Sequence, residues 1–361
     1  EGEYAEAEAR LSRASVVSKR LTPERRVEAA TQLMDLYVRT ARWSEAKREL
    51  KALQASPLEP CARAQAESAV GFARVRAWQS GEADLGDPRP GLESALRLHA
   101  PGAACENVAL YTHDLVKLGY AAALRGDAAA LRGYVERISA QRLDGKYAQQ
   151  VVELELELAV VEQRFSEVPR LASKMKAMAT RGEPEAWWRL HSILARAAIA
   201  QGDEAAAQAA YGAAETVLDE LWAGVNSYAL RSRWLSAYRR SALELMRLRL
   251  GAGDLEGAAC VARSARLRAM EPRGLRGRFD DPCERAWARG AGEVVFLIVP
   301  ETRDDWHVFT IAGERVLHVR RARAPSAADR VGWWDPWTDA IGSAGKVRIL
   351  ASGVALRAPL H

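Results

Sequence analysis

Cysteine and histidine are the residue types through which this chain could do nucleophilic or metal chemistry; it has four cysteines and six histidines. A cysteine hydrolase needs a thiolate with an imidazole in hydrogen-bonding reach. The cysteines are Cys61, Cys105, Cys260 and Cys283. None forms a CxxC pair, and no cysteines or histidines have zinc-ligand spacing, so we predict no metal site. The same isolation predicts buried free thiols in a reducing compartment.

A basic run between residues 263 and 278 could bind an anionic partner. The residues that we expect to make this contact are Arg266, Arg268, Arg273, Arg276 and Arg278. RNA, a nucleoprotein or an acidic protein would suit them. The alternative, a solvated linker plus one helix face, is favoured. No aromatic residues interleave with the arginines, which argues against a platform that stacks single-stranded nucleic acid.

Motifs and composition exclude several classes of function. The sequence has no Walker loop, GxGxxG, GxSxG or HExxH run, so we expect no small-molecule cofactor. Its net charge of +5 is mild for 361 residues and indicates solubility more than nucleic-acid binding. No apolar run is long enough to span a membrane, and no signal peptide is present, so we expect a cytoplasmic location. The chain starts without Met, in a helical pattern, which predicts truncation.

A repeated pattern of paired helices joined by short turns dominates the first three quarters of the sequence. The clearest unit has apolar positions at Ala30, Leu33, Tyr37, Ala46, Leu50 and Leu53, followed by Pro57. The small Ala46 lets the second helix approach the first, and Pro57 ends that helix. The same break recurs at Gly126–Asp127, Arg164–Phe165, Gly202–Asp203 and Gly253–Asp254. An Asp after Gly suits a helix N-cap.

This unit resembles a tetratricopeptide repeat, because Tyr37, Ala46, Leu50 and Leu53 occupy that family's packing positions, although its early Trp and Gly are missing. The resemblance implies a mainly α fold, a helical solenoid over residues 1–270, with a protein partner in its groove. We predict a loop around a short helix (Leu92–Leu98) between residues 80 and 102, either an insertion or a degenerate repeat. Four tryptophans could anchor a partner, but packing between repeats is favoured: Trp187, Trp188, Trp222 and Trp234.

The periodicity changes to that of strands near residue 290. A continuous apolar run ending at Pro300 predicts a buried strand. Residues 306–311 and 315–320, joined through Gly313, predict a hairpin. A short helix (335–341) and a last strand (346–352) follow. We therefore divide the chain into a repeat domain (1–270), a basic linker (271–290) and an incomplete α/β domain (291–361).

The end of the chain resembles the start of a CHAT domain, the caspase-like module that often follows tetratricopeptide repeats. The resemblance covers the helix at 258–269, the strand and hairpin from 294 to 319, and the segment from 348 to 361. In that last segment Gly353, Leu356 and Pro359 match the family motif, whereas Ser352 departs from it. The stretch between the hairpin and the last strand is also shorter than in the family.

This resemblance implies a bacterial caspase-like cysteine peptidase, in some cases acting in defence, controlled by a partner bound to the helical part. The family's catalytic His and Cys follow the segment at 348–361, so no residue here is assigned to catalysis. Cys260 and Cys283 precede the sheet, and we interpret His307 and His318 as edge residues of the hairpin. The alternatives are a helical-repeat adaptor without enzymatic activity and the ligand-sensing part of a transcription regulator.

Overall fold

The structure is a computed structural model, and its chain divides into two compact units, Glu1–Arg240 and Ser241–His361. It describes residues 6, 9–11, 13, 23–40, 42–81, 85–141, 145–179, 184–223, 238–270, 292–301, 305–313, 315–321 and 335–351. The chain is mainly helical, a helical solenoid followed by a small α/β segment, which confirms the predicted fold class. Within the described part, no helix has the length and apolar character needed to cross a membrane.

The first unit consists of successive helix pairs. Its helices are α1 (Pro23–Arg39), α2 (Trp43–Ala55), α3 (Pro60–Gln79), α4 (Arg89–His99), α5 (Val108–Arg125), α6 (Ala128–Ser139), α7 (Gly145–Val161), α8 (Val168–Met178), α9 (Pro184–Ala200) and α10 (Glu204–Ala223). The first helix of each pair contacts the first helix of the next, so α1, α3, α5, α7 and α9 form one continuous row. Each second helix packs against its own partner, which buries faces that a single pair would leave exposed.

The Gly-Asp breaks form the helix boundaries that the sequence predicts. Gly126 and Gly202 adopt φ of 69° and 74°, a left-handed conformation that glycine enters without a Cβ clash. Asp127 and Asp203 then accept hydrogen bonds from backbone amides of the next helix, at 3.1 and 2.9 Å. Arg164 differs, because it leads into a 3₁₀ turn (Phe165–Glu167) before α8 begins.

Helix α4 corrects the prediction of a short helix within a long loop. It spans Arg89–His99 and packs between α3 and α5 as a regular second helix. Its Leu92 is fully buried against Gly71 of α3. Proline and glycine are concentrated around this helix, and such residues suggest a loop in the sequence. Pro90 nevertheless belongs to the first turn of the helix, where proline is tolerated, so the sequence underestimates the helix length.

The second unit combines helices with a four-stranded sheet. Its elements are α11 (Arg239–Gly251, of which the first two residues belong to the first unit), α12 (Leu255–Met270), β1 (Glu293–Pro300), β2 (Trp306–Ala312), β3 (Arg315–Arg321), a 3₁₀ turn (Asp335–Trp337), α13 (Thr338–Gly342) and β4 (Lys346–Ala351). The strand order is β3-β2-β1-β4, with β1 antiparallel to β2 and parallel to β4. The predicted buried strand and hairpin are both present.

Trp337 of the 3₁₀ turn and helix α12 both pack against this sheet. Trp337 packs edge-to-face on Phe296, with ring centroids 5.7 Å apart, which makes Trp337 a core residue. Helix α12 contacts β1 and β3. These contacts place α12 in the same unit as the sheet, although its sequence pattern continues that of the repeats. The predicted linker at 271–290 lies outside the described residues.

The cysteines correct the prediction of buried free thiols. The exposed Cys61 and the partly buried Cys105 form a disulfide, with Cα atoms 5.3 Å apart, and Cys260 is also disulfide-bonded. The two partners of the first bond are 44 residues apart in sequence. Spacing along the chain could not reveal this pairing, because only the stacking of α3, α4 and α5 brings these residues together.

Candidate functional site

Polar and aromatic side chains run along the first helices of four successive pairs. They are Phe72 and Arg76 on α3; His113, Lys117 and Tyr120 on α5; Gln149, Glu153 and Glu157 on α7; and Glu185, Arg189 and Arg196 on α9. Their spacings within each helix are three, four or seven residues, which place them on one helix face. We call this set the polar row.

Ion pairs connect the middle of the polar row. Arg189 approaches Glu153 at 2.8 Å and Glu185 at 3.7 Å, while Arg76 reaches Glu185 at 3.4 Å. The Glu153 side chain is only 2% exposed. Burial disfavours the charge of Arg189, yet the adjacent carboxylates keep its pKa above its ordinary value. Arg189 therefore stays charged, and the ion pairs connect α3, α7 and α9 to one another.

Tyrosines surround these charges. Tyr238 donates a hydrogen bond to Glu185, and its ring meets Trp188 edge-to-face with centroids 5.0 Å apart. Burial, followed by the Glu185 carboxylate, raises the pKa of Tyr238. Burial and Glu153 likewise raise the pKa of Tyr120. Both phenols are thus neutral hydrogen-bond donors at ordinary pH and not nucleophiles.

One end of the polar row is aromatic and cationic. The Lys117 ammonium lies 4.5 Å from the Phe72 ring centroid and 5.7 Å from that of Tyr120. The His113 ring lies 6.0 Å from Phe72. Phe72 and His113 are half-buried, so they can contact a partner without first unfolding the helices.

Two side chains of α7 have buried polar atoms without hydrogen-bond partners. Arg196 pairs with Glu157, but the second oxygen of Glu157 is buried and has no hydrogen-bond partner. The side-chain amide nitrogen of Gln149 is also buried and has no hydrogen-bond partner. Buried polar groups without partners are costly and uncommon. Both atoms are shielded from solvent, so they are a cost of packing within the row and not contact points for a ligand on its surface.

A serine, a histidine and an aspartate meet nearby, but their order does not suit hydrolysis. Asp114 of α5 lies between the other two, accepting a hydrogen bond from Ser68 and lying 2.8 Å from His99. A catalytic serine needs the imidazole, not the carboxylate, as its neighbour. All three side chains are buried. We name them the Ser68–Asp114–His99 junction, and it joins α3, α4 and α5.

In the second unit, a carboxylate and two imidazoles form a chain. His307 lies 2.9 Å from Glu301 through one ring nitrogen and 2.9 Å from His318 through the other. Arg247 and Arg320 also contact Glu301, and, despite burial, Arg247 holds the pKa of that carboxyl below its ordinary value. Glu301 therefore accepts a hydrogen bond from one ring nitrogen of His307, and the other ring nitrogen of His307 accepts a hydrogen bond from His318. No described cysteine joins this hydrogen-bonded series, and among the described residues no group of three Cys, His, Asp or Glu side chains is arranged to hold a metal ion.

The structure changes the interpretation of the predicted residues. His307 is not an edge residue, because β2 is an interior strand and the residue is 4% exposed. His318 does lie on the outer strand β3 of the described sheet. Trp188 is a packing residue, while Trp234 lies outside the described part. Arg266 and Arg268 fall in α12 with side chains that are not described, and Arg273, Arg276 and Arg278 lie outside the described residues.

The polar row was missed by sequence reasoning for an identifiable reason. Glu153, Glu155 and Glu157 alternate with apolar residues, a pattern that does not show which carboxylates face a neighbouring helix. The four-residue spacing of Gln149, Glu153 and Glu157 was the available signal. A scan against protein-family models and a search of curated proteins both found no match.

Proposed function

We propose that this chain is the partner-binding and regulatory part of a caspase-like cysteine peptidase of the TPR–CHAT type. In this proposal the polar row binds an extended segment of a protein partner. The observation that carries the proposal is the continuity of the row across α3, α5, α7 and α9. Repeat scaffolds use surfaces of this kind for binding, since successive repeats present similar positions side by side.

The charges of the row favour a protein over a nucleic acid. Its arginines are already paired with Glu153, Glu157 and Glu185. A polyanion would need these cations and would be repelled by the three carboxylates. A peptide offers both donors and acceptors, and it lacks the dense negative charge that these carboxylates would repel.

The sheet supports the caspase-like part of the proposal. A hairpin leads through a short helix into β4, which is parallel to β1, and parallel pairing belongs to α/β sheets covered on both faces. Val347 and Ile349 on β4 are 40% and 37% exposed. Apolar side chains on an outer strand are expected where a sheet continues or is covered.

A helical-repeat adaptor without enzymatic activity is the second candidate. The described residues contain no thiol beside an imidazole, and Cys260 is in a disulfide. The encoding gene separates the two candidates. A peptidase requires a His-Gly step and then a Cys after an apolar strand, downstream of His361; a reading frame without them leaves the adaptor.

Peptide selection tests the binding role directly. The chain would be used to select binders from a displayed library of random peptides, and affinities would be measured by titration calorimetry. We expect Phe72→Ala to weaken binding by about tenfold or more, because a half-buried aromatic is the type of residue that dominates interfaces. Arg97→Ala, an exposed residue on α4 away from the row, is the matched control and should change affinity by less than about twofold. Peptides that bind both variants equally well would refute the row as the binding surface.

A further inference from the structure

The disulfide between Cys61 and Cys105 lies where an external thiol can reach it. Cys61 is the second residue of α3, and Cys105 belongs to the connection between α4 and α5. Cys61 is exposed, and Cys105 is partly buried. Thiol–disulfide exchange requires in-line approach of a thiolate to only one of the two sulfurs, so the exposure of Cys61 is enough to admit an attacking thiol.

The connection that contains Cys105 also fixes the adjoining helices. The Cys105 amide donates to the Leu98 carbonyl at 3.2 Å, and the Asn107 amide donates to the His99 carbonyl at 3.0 Å. The Asn107 side chain then caps α5 by accepting from the Leu110 amide. The disulfide therefore holds the end of α4 and the start of α5 to the start of α3.

The Ser68–Asp114–His99 junction joins the same three helices, α3, α4 and α5, and is held closed at a cost. Asp114 is fully buried, and burial raises its pKa even though His99 and Ser68 bond to it. The outer ring nitrogen of His99 is buried without a hydrogen-bond partner. Water would hydrate both groups if the three helices separated, which favours an open arrangement once the covalent connection is removed.

We propose that the Cys61–Cys105 disulfide is a redox-exchangeable connection whose reduction by a glutathione-type thiol opens the Ser68–Asp114–His99 junction. One thiolate attacks a sulfur to form a mixed disulfide, releasing the other cysteine as a thiolate that takes up a proton. A second thiol resolves the mixed disulfide. Overall, two thiols become one small disulfide, and Cys61 and Cys105 become two thiols.

Opening the junction would displace the polar row, because Phe72 on α3 and His113 on α5 flank it. This consequence depends on the proposed function, whereas the redox response itself does not. Redox state would then set how well the row binds a peptide.

Hydrogen–deuterium exchange on the whole chain tests the redox response. Oxidised protein would be compared with protein reduced by millimolar glutathione, with reduction verified by alkylation and mass spectrometry. We expect amides in residues 61–71 and 99–117 to exchange at least about tenfold faster after reduction, with α9 and α10 changed by less than about twofold. Glutathione disulfide should restore the slow exchange. The Cys61→Ser/Cys105→Ser variant should exchange fast in both conditions, which separates this bond from that of Cys260.

Three results would overturn the proposal. The first is a disulfide that glutathione does not reduce, and the second is unchanged amide exchange after verified reduction. The third is an equal increase of amide exchange in α9 and α10, which would make the disulfide a general stabiliser of the whole unit. A selected peptide that binds both redox states equally would refute the effect on the row alone. Failure to select any peptide, with the exchange response intact, would refute the binding function and not the redox connection.

Discussion

Arg189 of α9 and Glu153 of α7 form an ion pair in which the arginine Nε lies 2.8 Å from a carboxylate whose side chain is 2% exposed. Removing one partner leaves the other charge buried. We therefore expect Glu153→Ala to lower the free energy of unfolding by about 3–5 kcal/mol. Urea denaturation followed by the helical circular dichroism signal measures this loss.

Glu155 supplies the matched control for this pair. It lies two residues further along α7 and pairs with Lys174 at 3.5 Å, where both side chains are substantially exposed. Glu155→Ala should cost about 0–1 kcal/mol, because water screens such pairs. Equal losses in the two variants would mean that Glu153 is not buried with its partner in solution.

Gly71 is expected to tolerate no side chain. A Cβ there would lie 2.3 Å from Cγ of Leu92, which is fully buried in α4. Gly71→Ala should therefore destabilise the first unit by about 1–3 kcal/mol through overpacking. Gly133 in α6 has no atom within 4 Å of its Cβ position, so Gly133→Ala should stabilise by about 0.5–1 kcal/mol. Thermal melts of the two variants should shift in opposite directions.

The second unit is expected to lose stability as the pH falls from 6.5 to about 4. Burial, with contributions from His307 and Arg320, lowers the pKa of His318 from 6.5 to about 4. The unfolded chain therefore binds a proton in this interval more readily than the folded one, so protonation favours unfolding. Since His318 is half-buried, we expect a loss of only about 1–2 kcal/mol after allowance for solvent screening.

Amide protection factors of β2 and β3 between pH 7 and pH 4 measure this effect. His318→Gln keeps a hydrogen-bond donor for His307 but does not titrate. It should therefore make the protection factors of β2 and β3 less dependent on pH above pH 4. His191→Gln is the control, since burial also lowers the pKa of His191, which lies in the first unit. A profile that His318→Gln leaves unchanged would assign the acid sensitivity to other groups.

The Asp203 cap is expected to contribute measurably to α10. Its carboxylate accepts a hydrogen bond from the Ala206 amide at 2.9 Å, so Asp203→Ala should cost about 1 kcal/mol. Asp203→Asn keeps an acceptor and should cost less. Hydrogen exchange of the first turn of α10 reports the change locally, and equal exchange in the two variants would show that the cap is not formed.

Local signals predicted the elements well and their long-range contacts poorly. The Gly-Asp breaks and the apolar run before Pro300 determine boundaries within a few residues, so they can be interpreted without tertiary context. The length of α4 was underestimated, because proline in a first turn looks the same in sequence as proline in a loop. The disulfide and the Arg189–Glu153 pair join residues far apart in the chain, and only helix stacking brings them together.

The contact between Arg76 and Glu185 bears on how the first unit unfolds. Arrays of helix pairs behave nearly as one-dimensional chains, in which each pair is stabilised by its neighbours and the ends can fray independently. Arg76 and Glu185 are 109 residues apart and belong to α3 and α9, which are separated by two intervening pairs. This connection couples distant parts of the array. Loss of α9 would release a contact on α3, so the unit should unfold more cooperatively than nearest-neighbour stacking alone would allow.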